Sequence, residues 1–280
     1  MTSDSTTRTS TIAFIGGGNM ARSLIGGLVA RGVAADSIRV AEPVAVLRDA
    51  LHADFGVQVF TEATLAVEGA ELWLVAVKPQ VMREVCASLA AQVTDDTVVV
   101  SIAAGITIAQ LQRWLARDGG VAVVRAMPNT PALLGAGITG LCPSAQVTPT
   151  QRASAQRLLE AAGHVVWIDD EAQMDAVTAV SGSGPAYVFL LAEAMQAAAV
   201  AQGLDADAAR ALATQTLLGA SRMLAESDDP ADVLRARVTS PNGTTQAAIE
   251  TFEAGGFRTL VARAIDAATR RGRELSAAND

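Results

Sequence analysis

Nothing in this chain constrains its fold more than the turn Gly16-Gly17-Gly18-Asn19-Met20-Ala21, which directly follows the apolar run Thr11–Ile15. A stretch with helical apolar spacing, Met20–Arg31, comes next. The pattern is G-x-G-x-x-A between a strand and a helix, the context in which such a turn binds a dinucleotide. Gly16 permits the tight turn, Gly18 lets the main chain approach a pyrophosphate, and the small Ala21 lets helix and strand pack closely. The opening helical turn, with Asn19 and Met20, then offers free N–H groups and a positive dipole end to the phosphates.

The first 168 residues repeat that alternation. Further strands are expected at Ile38–Ala41, Val57–Phe60, Leu72–Val77, Val98–Ile102, Val121–Ala126, Ile138–Leu141 and Val165–Ile168. Helical spacing falls between them at Val44–Asp54, Val81–Ala91, Ile108–Arg117 and Thr150–Ala161. Such βαβ repetition predicts a mostly parallel sheet with helices on both faces, and near-continuous apolar strands fit burial on both sides. After Asp169 no strand pattern remains; Ala- and Leu-rich helical stretches run to Ala278, beginning with Glu171–Val180. The fold class is α/β: a Rossmann-like, doubly wound domain over residues 1–168, then an all-helical domain over 169–280. The Ser/Thr-rich start, Met1–Thr11, lacks the apolar core of a secretory signal and reads as a disordered leader.

Composition narrows the partners. Half of the 280 residues are hydrophobic and 18% are charged, the balance of a folded chain. A net charge of -8 argues against nucleic acid and acidic membranes. No uninterrupted apolar run reaches the roughly 18–20 residues of a bilayer span; Ala186–Ala201 is broken by Glu193 and Gln196. Two cysteines, Cys86 and Cys142, fit neither a metal site nor a disulfide framework, so no metal is expected and the cytoplasm is the expected compartment.

Other residues join the glycine turn as cofactor candidates. Glu42 ends the second strand, where an acid accepts hydrogen bonds from the adenosine ribose of NAD. An adenosine 2′-phosphate there would meet like charge, costing roughly 4 kcal/mol per unit charge at ~4 Å and an effective dielectric of ~20. That favours NADH over NADPH; the plainer reading of Glu42 is a solvated side chain capping the next helix. Lys78 is the only lysine among 21 basic residues, and it follows a buried strand within Ala76-Val77-Lys78-Pro79. The carboxyl edge of the sheet is where doubly wound folds bind ligands, so Val77, Lys78 and Pro79 are placed at the crevice. Two more loops at that edge, with Ala103 and Ala104 in one and Asn129 in the other, offer small residues and main-chain groups to the nicotinamide ribose.

The helical half carries two segments that packing does not demand: Ser181-Gly182-Ser183-Gly184-Pro185-Ala186-Tyr187, read as lying between helices, and Val238-Thr239-Ser240-Pro241-Asn242-Gly243-Thr244-Thr245. With Ala76–Pro79, Asn129-Thr130-Pro131 and Glu253-Ala254-Gly255-Gly256-Phe257-Arg258, they resemble the signature segments of pyrroline-5-carboxylate reductases, in order from Ile12 to Leu275. The resemblance implies hydride transfer from NADPH or NADH to the cyclic imine of 1-pyrroline-5-carboxylate, giving proline. It also implies a helical dimerisation domain, dimers that assemble further into decamers, and an active site completed by a second subunit. By the same resemblance Ser240 and the main chain around Asn242, Gly243 and Thr244 hold the substrate carboxylate, and the Thr245 hydroxyl meets the ring nitrogen as the catalytic group. The residues agree, since a Pro-Asn-Gly turn feeding a helix start is a ready carboxylate site; the plainer reading is a helix capped by Thr244 or Thr245. Two positions depart from the family pattern: Glu42 replaces a Ser-like residue near the adenosine 2′ position, and Thr61-Glu62-Ala63 lacks an Asn that many relatives place on the ribose.

A pyrroline nitrogen is basic enough to arrive partly protonated, so a site without histidine suffices; His52 and His164 are read as structural. Hydroxyacid dehydrogenases of the 6-phosphogluconate type need a lysine in the helical part, and none follows Lys78. A dinucleotide sensor without turnover has no use for a carboxylate pocket. A reductase of the six-membered imine remains open.

Overall fold

The structure is a computed structural model that describes residues 11–115 and 119–279. The leader, apart from Thr11, and the end of the helix expected at Ile108–Arg117 lie outside those residues. Eight strands form one sheet: β1 (Ile12–Ile15), β2 (Ile38–Ala41), β3 (Gln58–Phe60), β4 (Leu72–Val75), β5 (Val98–Ser101), β6 (Ala122–Met127), β7 (Gly137–Pro143) and β8 (Gly163–Trp167). Their order is β3-β2-β1-β4-β5-β6-β7-β8. The strands from β1 to β6 pair in parallel, β7 runs antiparallel to β6, and β8 is parallel to β7. Alternate residues feed two cores. Phe14, Leu72 and Leu74 pack on one face with Leu24, Ile25 and Leu158; Ile15, Trp73 and Val75 pack on the other with Met82, Leu89 and Leu111. This two-sided burial explains why the strands read as unbroken apolar runs.

The helices interleaved with these strands are α1 (Asn19–Ala30), α2 (Ala45–Phe55), α3 (Ala63–Val67), α4 (Pro79–Leu89), α5 (Ile108–Leu115) and α6 (Pro149–Glu160). After β8 come α7 (Met174–Val177), α8 (Gly184–Ala201), α9 (Ala206–Glu226), α10 (Ala231–Arg237), α11 (Thr244–Ala254) and α12 (Phe257–Ala278). The one-turn α3 shows no helical periodicity in the sequence because a single turn is too short to carry any.

The chain divides into two compact units: Met1–Ser183 with Ala268–Asp280, and Gly184–Ala267. The last strand ends at Trp167, yet the following helical residues pack with the sheet: Met174 is fully buried, and Arg125 of β6 pairs with Glu171 at 3.1 Å and Asp175 at 3.4 Å. The segment read as an interhelical linker, Ser181–Tyr187, is helical on both sides of a bend at Ser183. A π-helical turn over Thr178–Gly182 follows α7 and leads into α8. Gly182 is small because the methyl end of Met127 would lie 2.6 Å from a Cβ there.

In the second unit α8 packs on α9, but only Ala209 and Ala213 of α9 are buried. Phe189 is 63% exposed, Leu190 65% and Leu260 62%, a surface of the kind that a second protein covers. By length and composition alone, the stretch Glu171–Ala201 would also pass for a bilayer span, because an 18-residue window within it has a mean hydropathy of 1.3. Glu193 and Gln196 interrupt the apolar run, whereas that mean is taken over a window of 18 residues. The first turns of the stretch carry Glu171 and Asp175 in ion pairs, and alanines at 192, 194 and 197–199 suit helix against helix rather than lipid.

Candidate active site

The sheet reverses its winding between β1 and β4, and the crevice of a doubly wound fold opens there. Gly16 leaves β1 at φ 100, where its N–H donates to the Ala41 carbonyl at 2.8 Å. A Cβ on it would stand 2.8 Å from the Ala76 carbonyl oxygen. Only glycine fits that squeeze between two neighbouring strand ends. Gly17 is closed in as well, since its Cβ would meet Leu51 at 2.7 Å. Gly18 differs: nothing lies within 4 Å of a Cβ built on it, at an ordinary φ of -67. Gly18 is the N-cap of α1, no side chain caps that helix, and its first turn holds no acid. Asn19 is exposed, Met20 packs its side chain against the core, and Ala21 is fully buried. Uncapped N–H groups beside an open Gly18 make a cradle that fits a pyrophosphate.

Glu42 is buried, at 7% exposure, and is not the solvated cap of the plainer reading. Its carboxylate accepts from the Gly17 N–H at 2.8 Å and the Val44 N–H at 2.9 Å, tying the glycine turn to the end of β2. Each oxygen keeps a further lone pair for a ribose hydroxyl. Arg48 shares this strand end: its guanidinium donates to the carbonyls of Glu42 at 2.9 Å and Pro43 at 3.3 Å. Sequence reasoning missed Arg48 because it stands on the next helix, and only the fold brings it back to the strand.

Beyond the switch point, Val77 lies 3.3 Å from the Cβ position of Gly16, and Lys78 is the exposed N-cap of α4 with Pro79 in its first turn. No described carboxylate pairs with Lys78. After β5, Ala103 is buried and its N–H reaches the Ser101 hydroxyl at 3.4 Å, Ala104 is exposed, and Gly105 turns the chain at φ 73. Asn129 holds structure together: its Nδ2 donates to the Ser181 carbonyl at 3.1 Å and its Oδ1 accepts from the Ile138 N–H at 3.0 Å. Its amide therefore fixes the loop after β6 to the π-helical turn and to β7.

The Ser240–Thr245 segment lies in the second unit. Pro241 and Asn242 form a turn in which the Gly243 N–H donates to the Ser240 carbonyl at 3.0 Å, with Asn242 at φ 57. Gly243, not Thr244 or Thr245, is the N-cap of α11, and no side chain caps the helix. Gln246 instead accepts from the Asn242 N–H at 2.8 Å. Thr245 is half-buried, Ser240 and Thr244 are exposed, and no described residue accepts from the Ser240 or Thr245 hydroxyl. The turn thus presents hydroxyls and helix N–H groups of one polarity, suited to a carboxylate.

Arg125 is a charged residue inside a buried strand, and the structure explains it by the pairs with Glu171 and Asp175. Glu171 also accepts from the Ile108 N–H at 2.8 Å, which joins the start of α5 to the same network. Burial pushes the Cys86 thiol up to about 12 and the Cys142 thiol up to about 11, the latter raised further by Glu171. His52 bonds the Val57 carbonyl at 2.9 Å and His164 lies on edge strand β8, away from these loops. Among the described residues no group of His, Cys, Asp and Glu could hold a metal.

Residues 171–275 match the family model for pyrroline-5-carboxylate reductase dimerisation, and residues 11–105 match that for coenzyme F420-dependent NADP oxidoreductases. The chain is 51% identical over 266 residues to the pyrroline-5-carboxylate reductase of Pseudomonas aeruginosa, covering 95% of this chain and 96% of that one. It is 43% identical to the Haemophilus influenzae enzyme of the same name, covering 94% and 97%. Among solved structures, a pyrroline-5-carboxylate reductase from Coxiella burnetii superposes with a TM-score of 0.92 at 40% identity, covering 96% of this chain and 99% of that chain. A Plasmodium falciparum pyrroline carboxylate reductase with NADP bound superposes at 0.81 and 25% identity, covering 95% and 98%.

Proposed function

The chain belongs to the pyrroline-5-carboxylate reductase family, and on that premise we propose that it reduces 1-pyrroline-5-carboxylate to proline as the last step of proline synthesis. The observation that carries this reading is that each unit holds an anion site of its own: the open cradle at Gly18 in the first and the uncapped turn from Ser240 to Thr245 in the second. The dinucleotide, held by Gly16, Gly18 and the N–H groups of Asn19 and Met20, supplies the hydride. Glu42 receives the adenosine ribose, and Val77, Lys78, Pro79, Ala103 and Ala104 line the far half, with Asn129 fixing its loop.

Ser240 and the main chain of Asn242, Gly243 and Thr244 hold the substrate carboxylate, and the Thr245 hydroxyl bonds the ring nitrogen so that the neighbouring carbon is electrophilic. The chain's contribution to rate is therefore chiefly positioning. Glu42 favours the free ribose diol of NADH, while the Arg48 guanidinium at the same strand end keeps NADPH usable. Both dinucleotides serve, NADH better. The unfilled apolar faces of α8, α9 and α12 support a dimer, with decamers as the further assembly; the two free buried thiols support a cytoplasmic enzyme, and the net charge of -8 argues against nucleic-acid and acidic-membrane partners.

The test is oxidation of NADH and of NADPH with pyrroline-5-carboxylate and, separately, with its six-membered homologue piperideine-2-carboxylate. The reading expects turnover of the five-membered imine with the larger kcat/KM for NADH. No turnover of either imine would leave a sensor, and preference for the six-membered ring would change the substrate. A much larger kcat/KM with NADPH would overturn the role given to Glu42.

A further inference from the structure

The last turn of α12 packs against the loop that follows β5. Asn279 donates from Nδ2 to the Gly105 carbonyl at 3.1 Å, and Leu275 Cβ lies 3.5 Å from the Cβ position of Gly105. Three residues earlier in the chain, the Ser276 carbonyl accepts from Gln110 Nε2 at 3.2 Å. Gln110 is only 3% exposed, and its Oε1 accepts from the Thr107 N–H at 2.8 Å. The loop Ala103–Thr107 is thus held from outside at Gly105 and at the start of α5, by residues remote in sequence. Gly105 sits at φ 73, where glycine has ready alternatives, and Ala104 beside it is exposed.

This loop stands at the carboxyl edge of β5, on the opposite side of the β1/β4 switch point from Glu42. In a doubly wound fold the two mononucleotide halves divide at that point, with adenosine on the Glu42 side and nicotinamide on the β4–β6 side. We propose that Asn279 is a positioning residue for the nicotinamide half of the cofactor, acting through the Gly105 carbonyl to hold the Ala103–Ala104 main chain in its binding conformation. The inference rests on the dinucleotide reading of the Gly16–Ala21 turn. Without the clamp the loop samples more conformations, and binding must select the competent one. Because Asn279 follows the last turn of α12 and its side chain contributes a single hydrogen bond, to Gly105, its loss changes global stability little.

The test compares Asn279→Ala and Gln110→Glu with the wild type. The second change keeps an acceptor for Thr107 and removes the donor to Ser276. Dissociation constants are measured for NADH and for ADP-ribose, or for NADPH and its 2′-phosphorylated fragment, whichever pair the wild type binds; Tm is recorded alongside. Loss of one net hydrogen bond predicts dinucleotide affinity about fivefold weaker in each variant, with fragment affinity unchanged; Tm holds in Asn279→Ala and falls in Gln110→Glu, which places a carboxylate at a position 3% exposed. Equal weakening of dinucleotide and fragment, or weakening of neither, overturns the proposal. A wild type that binds neither ligand overturns the dinucleotide reading, and the proposal with it.

Discussion

Gly18→Ala separates a glycine kept for the fold from one kept for a ligand. The native backbone at Gly18, φ -67 and ψ -177, is open to alanine, and a methyl group there touches nothing within 4 Å. Two small effects on stability oppose each other. Alanine is a poorer N-cap than glycine, by about 0.5–1 kcal/mol. It also lowers the entropy of the unfolded chain, worth about 0.4–1 kcal/mol in the other direction. The variant should therefore unfold within about 0.5 kcal/mol of the wild type, a Tm shift of roughly a degree or two for a chain of this size. Binding has no such compensation. The methyl group projects into the space where the pyrophosphate must meet the N–H groups of α1, and overpacking a close contact costs about 1–3 kcal/mol. Dinucleotide affinity should fall about tenfold to a hundredfold, read by quenching or enhancement of nicotinamide fluorescence. Gly16→Ala is the contrast, because a Cβ 2.8 Å from the Ala76 carbonyl oxygen and a φ of 100 make it destabilising without any ligand. Wild-type affinity in a folded Gly18→Ala protein would refute the placement of the pyrophosphate.

Four further outcomes follow from the structure. Thr245→Val should lower kcat/KM by about tenfold or more, the range of a positioned proton-handling group, and an unchanged rate removes Thr245 from the chemistry. Ser240→Ala should chiefly raise KM for the imine; a collapse of kcat at constant KM contradicts carboxylate anchoring. Arg125→Met strands Glu171 and Asp175 beside the sheet, so urea unfolding should show a loss of about 2–3 kcal/mol, and a neutral variant would mean the pairs carry no stability. The thiols predict alkaline sensitivity. Folding holds Cys142 near 11 and Cys86 near 12 against an ordinary 9.0, so the unfolded chain loses its thiol protons first as pH rises. Their contribution is whole below pH 9 and lost between pH 9 and about 12. Native protein at pH 8 should resist thiol-labelling reagents that modify it in denaturant, and rapid native labelling contradicts the burial.

Much of this protein is legible along the chain. All eight strands can be placed within two residues at either end, because each is a local apolar run bounded by turn residues. The roles of Gly16 and Ala21 follow from a turn whose requirements lie within six residues. The Ser240–Thr245 turn is local too, although its cap is Gly243 rather than a threonine. Partners distant in sequence decided the rest. Strand order, the reversed β7, the burial of Glu42 under Gly17 and Val44, the return of Arg48 to the end of β2, and the engagement of Asn129 with Ser181 all join elements that no local pattern connects. The helical character of Ser181–Tyr187 was hidden by glycines and a proline that usually mark loops, and its π-helical turn is held by packing against Met127. Hydrophobic period and turn chemistry are short-range properties and so can be read in sequence. Which strand lies beside which, and which polar group is left to meet a ligand, depends on contacts that exist only once the chain has closed on itself.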